Sequence, residues 1–423
     1  MKISVIGGGY VGLVSAVCFA ELGHTVELIE IDPDRARSIS QGRPQTYEKN
    51  LEALLSEHLG KSLHVSSVYD PIPDTDISFI CVGTPEVEGG SPDLSMVQSA
   101  CQSLGRSLID KNSYHVVAMK STVPPGTTEG LVIPTVLKHS LRERDKIGFC
   151  MNPEFLREGL AIEDFMHPDR IVIGCNDPRS GEMAESAYEG IKAPVIRTEI
   201  KSAEMIKYAS NAFLATKISF ANEIGNLCKR LGIDVYEVMG GVGMDHRINP
   251  HFLNAGAGFG GSCFPKDLSA LIHLAEGLGE EPLILRSVQE VNERQPMRIL
   301  KLLEEKIGSL EGKRIAVLGL AFKNDTDDVR QSRSVPVIRG LKERGAKVAA
   351  YDPRANDNMK RLIPDIEYCS TAADALKDAD ACLVMTEWPE FGLLDEEFDL
   401  MRNRVIIEGR RMLSCRDKEG ICW

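Results

Sequence analysis

At 423 residues the chain exceeds what one hydrophobic core normally fills, so two or three domains are expected. A composition that is 43% hydrophobic and 26% charged is that of an ordinary soluble globular protein. The net charge of −13 excludes a general binder of nucleic acid or of anionic membrane, since both demand surplus Lys and Arg, but it leaves room for a local basic pocket around one phosphorylated ligand. No stretch is long and apolar enough to span a bilayer, and Met1-Lys2 runs straight into a strand pattern, so neither a membrane anchor nor a signal peptide is expected. The eleven cysteines lack paired spacing; Cys415 and Cys422 lie near each other, but no His or Cys companions complete a metal site. A reducing cytoplasm is the expected home.

In chain order, Ile3–Ile6 reads as a short buried strand. A helical pattern follows from Tyr10 to Leu22, with Gly23 where a helix C-terminal glycine belongs. Val26–Ile29 is the next strand, and Asp32-Pro33 reads as an N-cap followed by the first helical residue. Apolar runs at Ile77–Val82, His115–Met119 and Ile171–Ile173 continue the alternation, which predicts a parallel sheet covered on both faces. From Lys201 to about Leu231 the pattern changes. Met205, Ala209, Ala212, Ala215, Ile218, Ala221 and Ile224 recur at helical spacing, predicting one long, largely buried helix, and a second is expected from about Pro282 to Ile307. At Gly312 the first pattern restarts, with a strand at Arg314–Gly319, a helix from about Val335 to Arg344 stopped by Gly345, and a strand at Lys347–Asp352 ending in an acid.

The first strand–helix junction, Gly7-Gly8-Gly9-Tyr10-Val11-Gly12, has glycines at three telling places. Gly7 makes a tight turn, Gly9 admits a pyrophosphate close to backbone, and Gly12 lets helix pack on strand. Phosphates at this junction meet a helix N-terminus. About 20 residues on, Glu30 closes the second strand, where an acid accepts hydrogen bonds from ribose hydroxyls and repels the extra phosphate of NADP. NAD is therefore the expected cofactor, although Arg35 lies near enough in sequence to hold a phosphate; a plain glycine-rich turn is the bland alternative. The second such loop, Gly319-Leu320-Ala321-Phe322-Lys323-Asn324, keeps only its first glycine and is not expected to cradle a pyrophosphate. The expected architecture is α/β: two Rossmann-like lobes, 1–198 and 309–423, joined by a mostly helical middle section, 199–308, with a long central helix.

The segment Gly258-Phe259-Gly260-Gly261-Ser262-Cys263-Phe264-Pro265-Lys266-Asp267 sets one cysteine after a run of glycines and just before a helix start. Pro265 suits the first helical turn, where a missing N–H costs nothing. The free N–H groups and dipole of that turn stabilise a thiolate. The glycines let a substrate approach backbone without Cβ clashes. A buried structural cysteine is the usual alternative for any one of eleven; the glycine-rich approach and the helix start favour a nucleophile.

This loop, the glycine-rich start, Val82-Gly83-Thr84-Pro85, Lys120-Ser121-Thr122-Val123-Pro124-Pro125-Gly126-Thr127 and Asn152-Pro153-Glu154-Phe155-Leu156-Arg157-Glu158-Gly159 together resemble the UDP-glucose/GDP-mannose dehydrogenase family along the whole chain. Pro168–Gly174 and Thr386-Glu387-Trp388 look most like the members that oxidise UDP-glucose. The resemblance implies a four-electron oxidation of a sugar primary alcohol to a carboxylate with two NAD, in a typically dimeric enzyme. It implies catalytic roles for Cys263, Lys207, Asn211, Asp267, Glu154 and Thr122. It places NAD against Gly7, Gly9, Tyr10, Val11, Gly12, Glu30, Arg35, Thr84, Thr122, Glu158, Lys266 and Arg330. It places the nucleotide sugar against Glu154–Arg157 (including Phe155 and Leu156), Lys207, Asn211, Arg247, Phe259, Gly260, Phe264, Lys323 and Arg410. Arg410 falls in Glu408-Gly409-Arg410-Arg411, where the family has Asp-Gly-Arg-Arg, so that assignment is the weaker for the changed acid.

Residue chemistry supports the same reaction. A simple alcohol dehydrogenase needs no covalent nucleophile, whereas carrying an aldehyde onward is easier once it is trapped as a thiohemiacetal that becomes a thioester. Lys207 and Asn211, four apart, share one helix face and suit a developing oxyanion; spacing alone equally fits a solvent-facing lysine. Asp267 reads as the holder of a catalytic water, as a partner of Lys207, or as a helix-start acid, with Thr122 an alternative holder of that water. By the resemblance Glu154 is the base for thioester hydrolysis, which near neutral pH calls for partial burial, and Glu158 lies near the nicotinamide. The rivals are the same chemistry on GDP-mannose or a UDP-N-acetylhexosamine, a two-electron dehydrogenase of the 6-phosphogluconate type, and an NAD-binding protein without chemistry. No metal, nucleic acid or membrane is expected as a partner.

Overall fold

The computed structural model describes all residues except Glu88 and Arg416. The chain divides into two compact units, Met1–Ser210 and Asn211–Trp423.

The first unit is built on an eight-stranded sheet of β1 (Lys2–Ile6), β2 (Thr25–Ile29), β3 (Leu63–Ser66), β4 (Ile77–Ile80), β5 (His115–Met119), β6 (Ile147–Met151), β7 (Ile171–Cys175) and β8 (Val195–Thr198). Their order is β3-β2-β1-β4-β5-β6-β7-β8. In β1, Ile3 through Ile6 are all buried, as expected of a parallel strand with both faces covered. The order reverses between β1 and β4, the crevice position where open α/β sheets bind ligands. Contrary to a purely parallel expectation, β6 and β7 pair antiparallel, with Cys150 opposite Cys175 and Met151 opposite Gly174. Pattern alone does not single out the strands β3, β6 and β8. β6 contains Gly148, where a Cβ would lie 2.2 Å from the Tyr114 hydroxyl, so close packing replaces the side chain that would have marked a strand.

The second unit carries a six-stranded, fully parallel sheet: β9 (Arg314–Leu318), β10 (Lys347–Tyr351), β11 (Glu367–Tyr368), β12 (Ala381–Val384), β13 (Ile406–Glu408) and β14 (Lys418–Gly420), in the order β11-β10-β9-β12-β13-β14. After the long helix, the helices Val235–Gly243, Phe264–Gly277 and Leu283–Ile307 precede this sheet, the last with Pro296 in its interior. Architecture thus agrees with the expected pair of α/β sheets and long central helix.

That helix runs Ile200–Leu231. Its buried face differs from the one read in the alanine pattern. Met205 and Ala209 are exposed, and so are Phe213, Phe220 and Leu227 at seven-residue intervals, whereas the polar Glu204, Lys207, Asn211, Ser219 and Asn222 are buried with Ala212, Ala215 and Ala221. Alanine is small enough to sit on either face, so it does not fix the helix rotation.

Candidate active site

The glycine turn after β1 is shaped by contacts no side chain would survive. Gly7 has φ +103°, and a Cβ there would lie 2.9 Å from the Cys81 carbonyl oxygen; at Gly12 it would lie 1.8 Å from the Gly7 carbonyl oxygen. At Gly9 it would meet nothing within 4 Å, so this strip of backbone faces open space. Helix Tyr10–Glu21, which carries Val11 in its first turn, starts there with no side-chain cap on its N–H groups. Glu30, buried at the end of β2, accepts from the Gly8 N–H (2.9 Å), the Asp32 N–H (2.8 Å) and Arg35 Nη1 (3.1 Å). Open backbone, an uncapped helix start and a buried acid fit the pyrophosphate and ribose of NAD. Arg35 is drawn onto Glu30. Tyr10 turns toward Glu48, whose carboxylate also accepts from the Gly159 N–H (2.7 Å) and the Ala161 N–H (3.0 Å), tying the first helix to the Glu158 loop. Burial, reinforced by the Glu48 hydrogen bond, pushes the Tyr10 phenol far up, so it stays a donor.

Further along the same sheet edge, Thr84 follows β4 and donates to the Thr122 carbonyl, which follows β5, at 3.0 Å. Glu154 follows β6. Its carboxylate lies 3.0 Å from Lys207 Nζ and accepts from the Leu156 N–H at 2.6 Å; Lys207 is 4% and Glu154 7% exposed. The Lys207 ammonium also lies 5.4 Å from the Phe155 ring centre, and the Arg170 guanidinium 3.8 Å from it. Lys207 is therefore no surface lysine. Burial, the largest influence on Glu154, raises its pKa, but Lys207, the Leu156 N–H and Lys120 together outweigh it and hold the carboxyl below its usual range. Glu154 is thus ionised at neutral pH, and its strength as a base depends on placement more than on a raised pKa.

Lys120, just after β5, is in the sequence only the first letter of the Lys120–Thr127 motif. It is buried, donates to Asn152 Oδ1 (3.2 Å) and Tyr188 Oη (2.9 Å), and lies within 5.6–5.9 Å of the ring centres of Phe79, Phe165 and Tyr188. This caged cation and Glu48 are among the residues that pattern reading misses. Their partners lie far away in sequence, and no local spacing signals them.

In the second unit Cys263 is the N-cap of helix Phe264–Gly277 and is partly exposed, with Ser262 Oγ 3.6 Å from its Sγ. The Asp267 N–H donates to the Cys263 carbonyl (2.9 Å). The buried Asp267 carboxylate accepts from Asn211 Nδ2 and Lys266 Nζ, each at 2.6 Å. Phe264 meets Phe259 edge-on, centroids 6.1 Å apart. Cβ atoms at Gly260 and Gly261 would strike Gln331 and Phe322, the Lys323 ammonium lies 5.9 Å from the Phe322 ring centre, and Arg410 donates to the Gly258 carbonyl. The remaining arginines are engaged locally: Arg157 with Asp164, Arg247 with Asp245 and Arg330 with Asp328, all three exposed. One unit therefore gathers Gly7–Gly12, Glu30, Thr84, Thr122, Glu154 and Lys207, and the other gathers Asn211, Asp267, Lys266, Cys263, Phe259 and Arg410.

Sequence profiles of three domains match the chain in order. They are the NAD binding domain (residues 1–192), the central domain (201–294) and the UDP binding domain (316–415) of one family. The chain belongs to the UDP-glucose/GDP-mannose dehydrogenase family. Among curated relatives, the UDP-glucose 6-dehydrogenase AglM of Haloferax volcanii is 47% identical over 99% of this chain and 98% of its own. The UDP-glucose dehydrogenase structure from Pyrobaculum islandicum superposes with a TM-score of 0.95 at 44% identity, covering 100% of this chain and 98% of that one. The UDP-D-ManNAc dehydrogenase structure from Pyrococcus horikoshii covers 100% and 99% with a TM-score of 0.87 but only 28% identity. This member of the dehydrogenase family is an NAD-dependent oxidoreductase with a nucleotide-sugar substrate, and no described helix is long and apolar enough to cross a membrane.

Proposed function

We propose that the chain oxidises the C6 alcohol of UDP-glucose to the carboxylate of UDP-glucuronate in two successive two-electron steps, working in the cytoplasm as a homodimer. The observation that supports this most is the partly exposed Cys263 at a helix start whose Asp267 is hydrogen-bonded by Asn211. Identity to relatives named for UDP-glucose exceeds that to the solved structure named for UDP-D-ManNAc, which favours UDP-glucose. We read residues 1–198 as the cofactor segment, 199–308 as the central and dimer-forming segment, and 309–423 as the nucleotide-binding segment. Exposed Phe213, Phe220 and Leu227 form an apolar line suited to cover by a second copy.

Bound NAD supplies a hydride acceptor, used twice per substrate. Gly7, Gly9, Tyr10, Val11, Gly12, Glu30, Arg35, Thr84, Thr122, Glu158, Lys266 and Arg330 hold it. Phe155, Leu156, Arg157, Arg247, Phe259, Gly260, Phe264, Lys323 and Arg410 bind the nucleotide sugar. Lys207 and Asn211 steady the C6 oxygen as it takes on negative charge. The Cys263 thiolate adds to the C6 aldehyde, giving a thiohemiacetal alkoxide on the sulfur; loss of hydride from C6 to the acceptor then leaves a thioester. Asp267 and Thr122 place a water against the thioester carbon. Glu154 takes its proton, and the acid is released as the Cys263 sulfur departs.

NADH counted per sugar nucleotide tests the reading. Two NADH per UDP-glucose are expected, with wild-type protein more active on it than on GDP-mannose or a UDP-N-acetylhexosamine. One NADH per substrate would favour the two-electron alternative, and turnover of another sugar nucleotide alone would replace UDP-glucose. Cys263→Ser should bind both ligands yet stall before the acid.

A further inference from the structure

We propose that Asn292 is a positioning residue for this reaction. Its side-chain amide closes a ring of two hydrogen bonds with the backbone of one residue, Phe259, and so fixes the glycine-rich strip that leads to Cys263. The inference rests on the reading above of that strip as the substrate- and nucleophile-bearing loop.

Asn292 sits in the middle of helix Leu283–Ile307, a position that asparagine disfavours because its side chain competes for backbone hydrogen bonds. It is only 3% exposed. Its Oδ1 accepts from the Phe259 N–H at 2.7 Å and its Nδ2 donates to the Phe259 carbonyl at 3.0 Å. A strand in a sheet would satisfy these two groups through a neighbouring strand. This strip is buried and outside any sheet, so each N–H and C=O needs another partner. The partners come one residue at a time. Asn222 Oδ1, from the long helix, accepts from the Gly256 N–H (2.7 Å). The Gly409 carbonyl accepts from Ala257 (2.8 Å), Arg410 donates to the Gly258 carbonyl, and the Arg330 carbonyl accepts from Gly261 (3.0 Å).

Gly258 points independently to the same clamp. Its φ is +102°, and a Cβ there would lie 2.5 Å from Asn292 Oδ1. The strip lies so flat on the asparagine that glycine is required beside it. The chemistry also selects asparagine. A donor and an acceptor must stand side by side at short reach. Aspartate has the shape but turns an oxygen toward the Phe259 carbonyl, and glutamine adds a methylene where the strip already touches.

The test uses the full-length enzyme carrying Asn292→Ala or the isosteric Asn292→Asp, with kcat and KM for UDP-glucose and NAD, the rate of Cys263 alkylation by iodoacetamide, and hydrogen exchange of the Phe259 amide in the wild type. A displacement of about 1 Å near a reacting centre costs up to about 100-fold in rate. Both variants should therefore lose about 10- to 100-fold in kcat and bind UDP-glucose several-fold more weakly, with an altered alkylation rate, while KM for NAD stays within about twofold. The Phe259 amide should be strongly protected. Unchanged kcat, KM and alkylation rate in folded variants, even with a lower melting temperature, would overturn the inference, as would fast exchange of the wild-type Phe259 amide. If wild-type protein does not turn over UDP-glucose, the functional reading falls by itself, and alkylation and exchange still decide the clamp.

Discussion

Strands β1 and β9 open their sheets alike: each is followed by a glycine of positive φ, and each pairs with a strand that leads into an acid, Glu30 after β2 and Asp352 after β10. The turns then part. After β1 the helix begins at once at Tyr10, with open space over Gly9. After β9 the next helix waits until Ser334, and a Cβ at Gly319 would lie 2.6 Å from the Thr386 amide nitrogen. Asp352 is consumed as a staple: it accepts from the N–H groups of Leu320 (2.7 Å), Ala321 (3.0 Å), Arg354 (2.9 Å) and Ala355 (2.8 Å) and from Trp388 Nε1 (3.0 Å). An acid at the end of a second strand is therefore no cofactor ligand on its own. The turn must also deliver a bare helix start beside it.

Gly12→Ala puts the contrast under the greatest strain. Its methyl has no room against the Gly7 carbonyl, so NAD affinity, followed by NADH fluorescence, should fall more than about 100-fold with a drop in melting temperature; an unaltered affinity would mean that the turn is not the cofactor cradle. Asp352→Ala should do the reverse, costing about 3 kcal/mol in urea unfolding because buried N–H groups lose their acceptor, with NAD affinity untouched. Gly9→Ala sharpens the comparison further. The protein has space for the methyl and the backbone angle suits alanine, so stability should change by less than about 0.5 kcal/mol, while NAD affinity falls about tenfold because the methyl takes up ligand space. Equal affinity would show that no ligand lies against Gly9.

The smallest effect concerns pH. Glu154 has a folded pKa below its unfolded value of 4.5, so the Lys207–Glu154 pair contributes its full stability above that value and loses it only as the pH falls through the lower folded one. The melting-temperature gap between wild type and Glu154→Gln should be flat from pH 7 to about pH 5 and shrink below about pH 4.5. A gap that closes already near neutrality would contradict the depressed pKa.

Much of the frame was legible because local chemistry dictates it. The glycine turn, the Asp32 cap and Gly23 at the helix end each rest on backbone geometry within a few residues, and Asp32 indeed accepts from the Asp34 and Arg35 N–H groups. The rotation of the long helix was not legible. Buried Lys207, Asn211 and Asn222 look like a wet face, and exposed Phe213 and Phe220 look like a core. What reverses the pattern is pairing across the fold, Lys207 with Glu154 and Asn222 with Gly256, which periodicity does not carry. The Asn292–Phe259 ring was hidden for the same reason, as two groups 33 positions apart share no local signal.

The ammonium of Lys120 is walled in by three rings and two oxygens. Amine-reactive acylating reagents should modify surface lysines within minutes and pass this one by. Its labelling would then record only those moments when the first sheet breathes open, making it a built-in gauge of how long the cofactor unit stays shut.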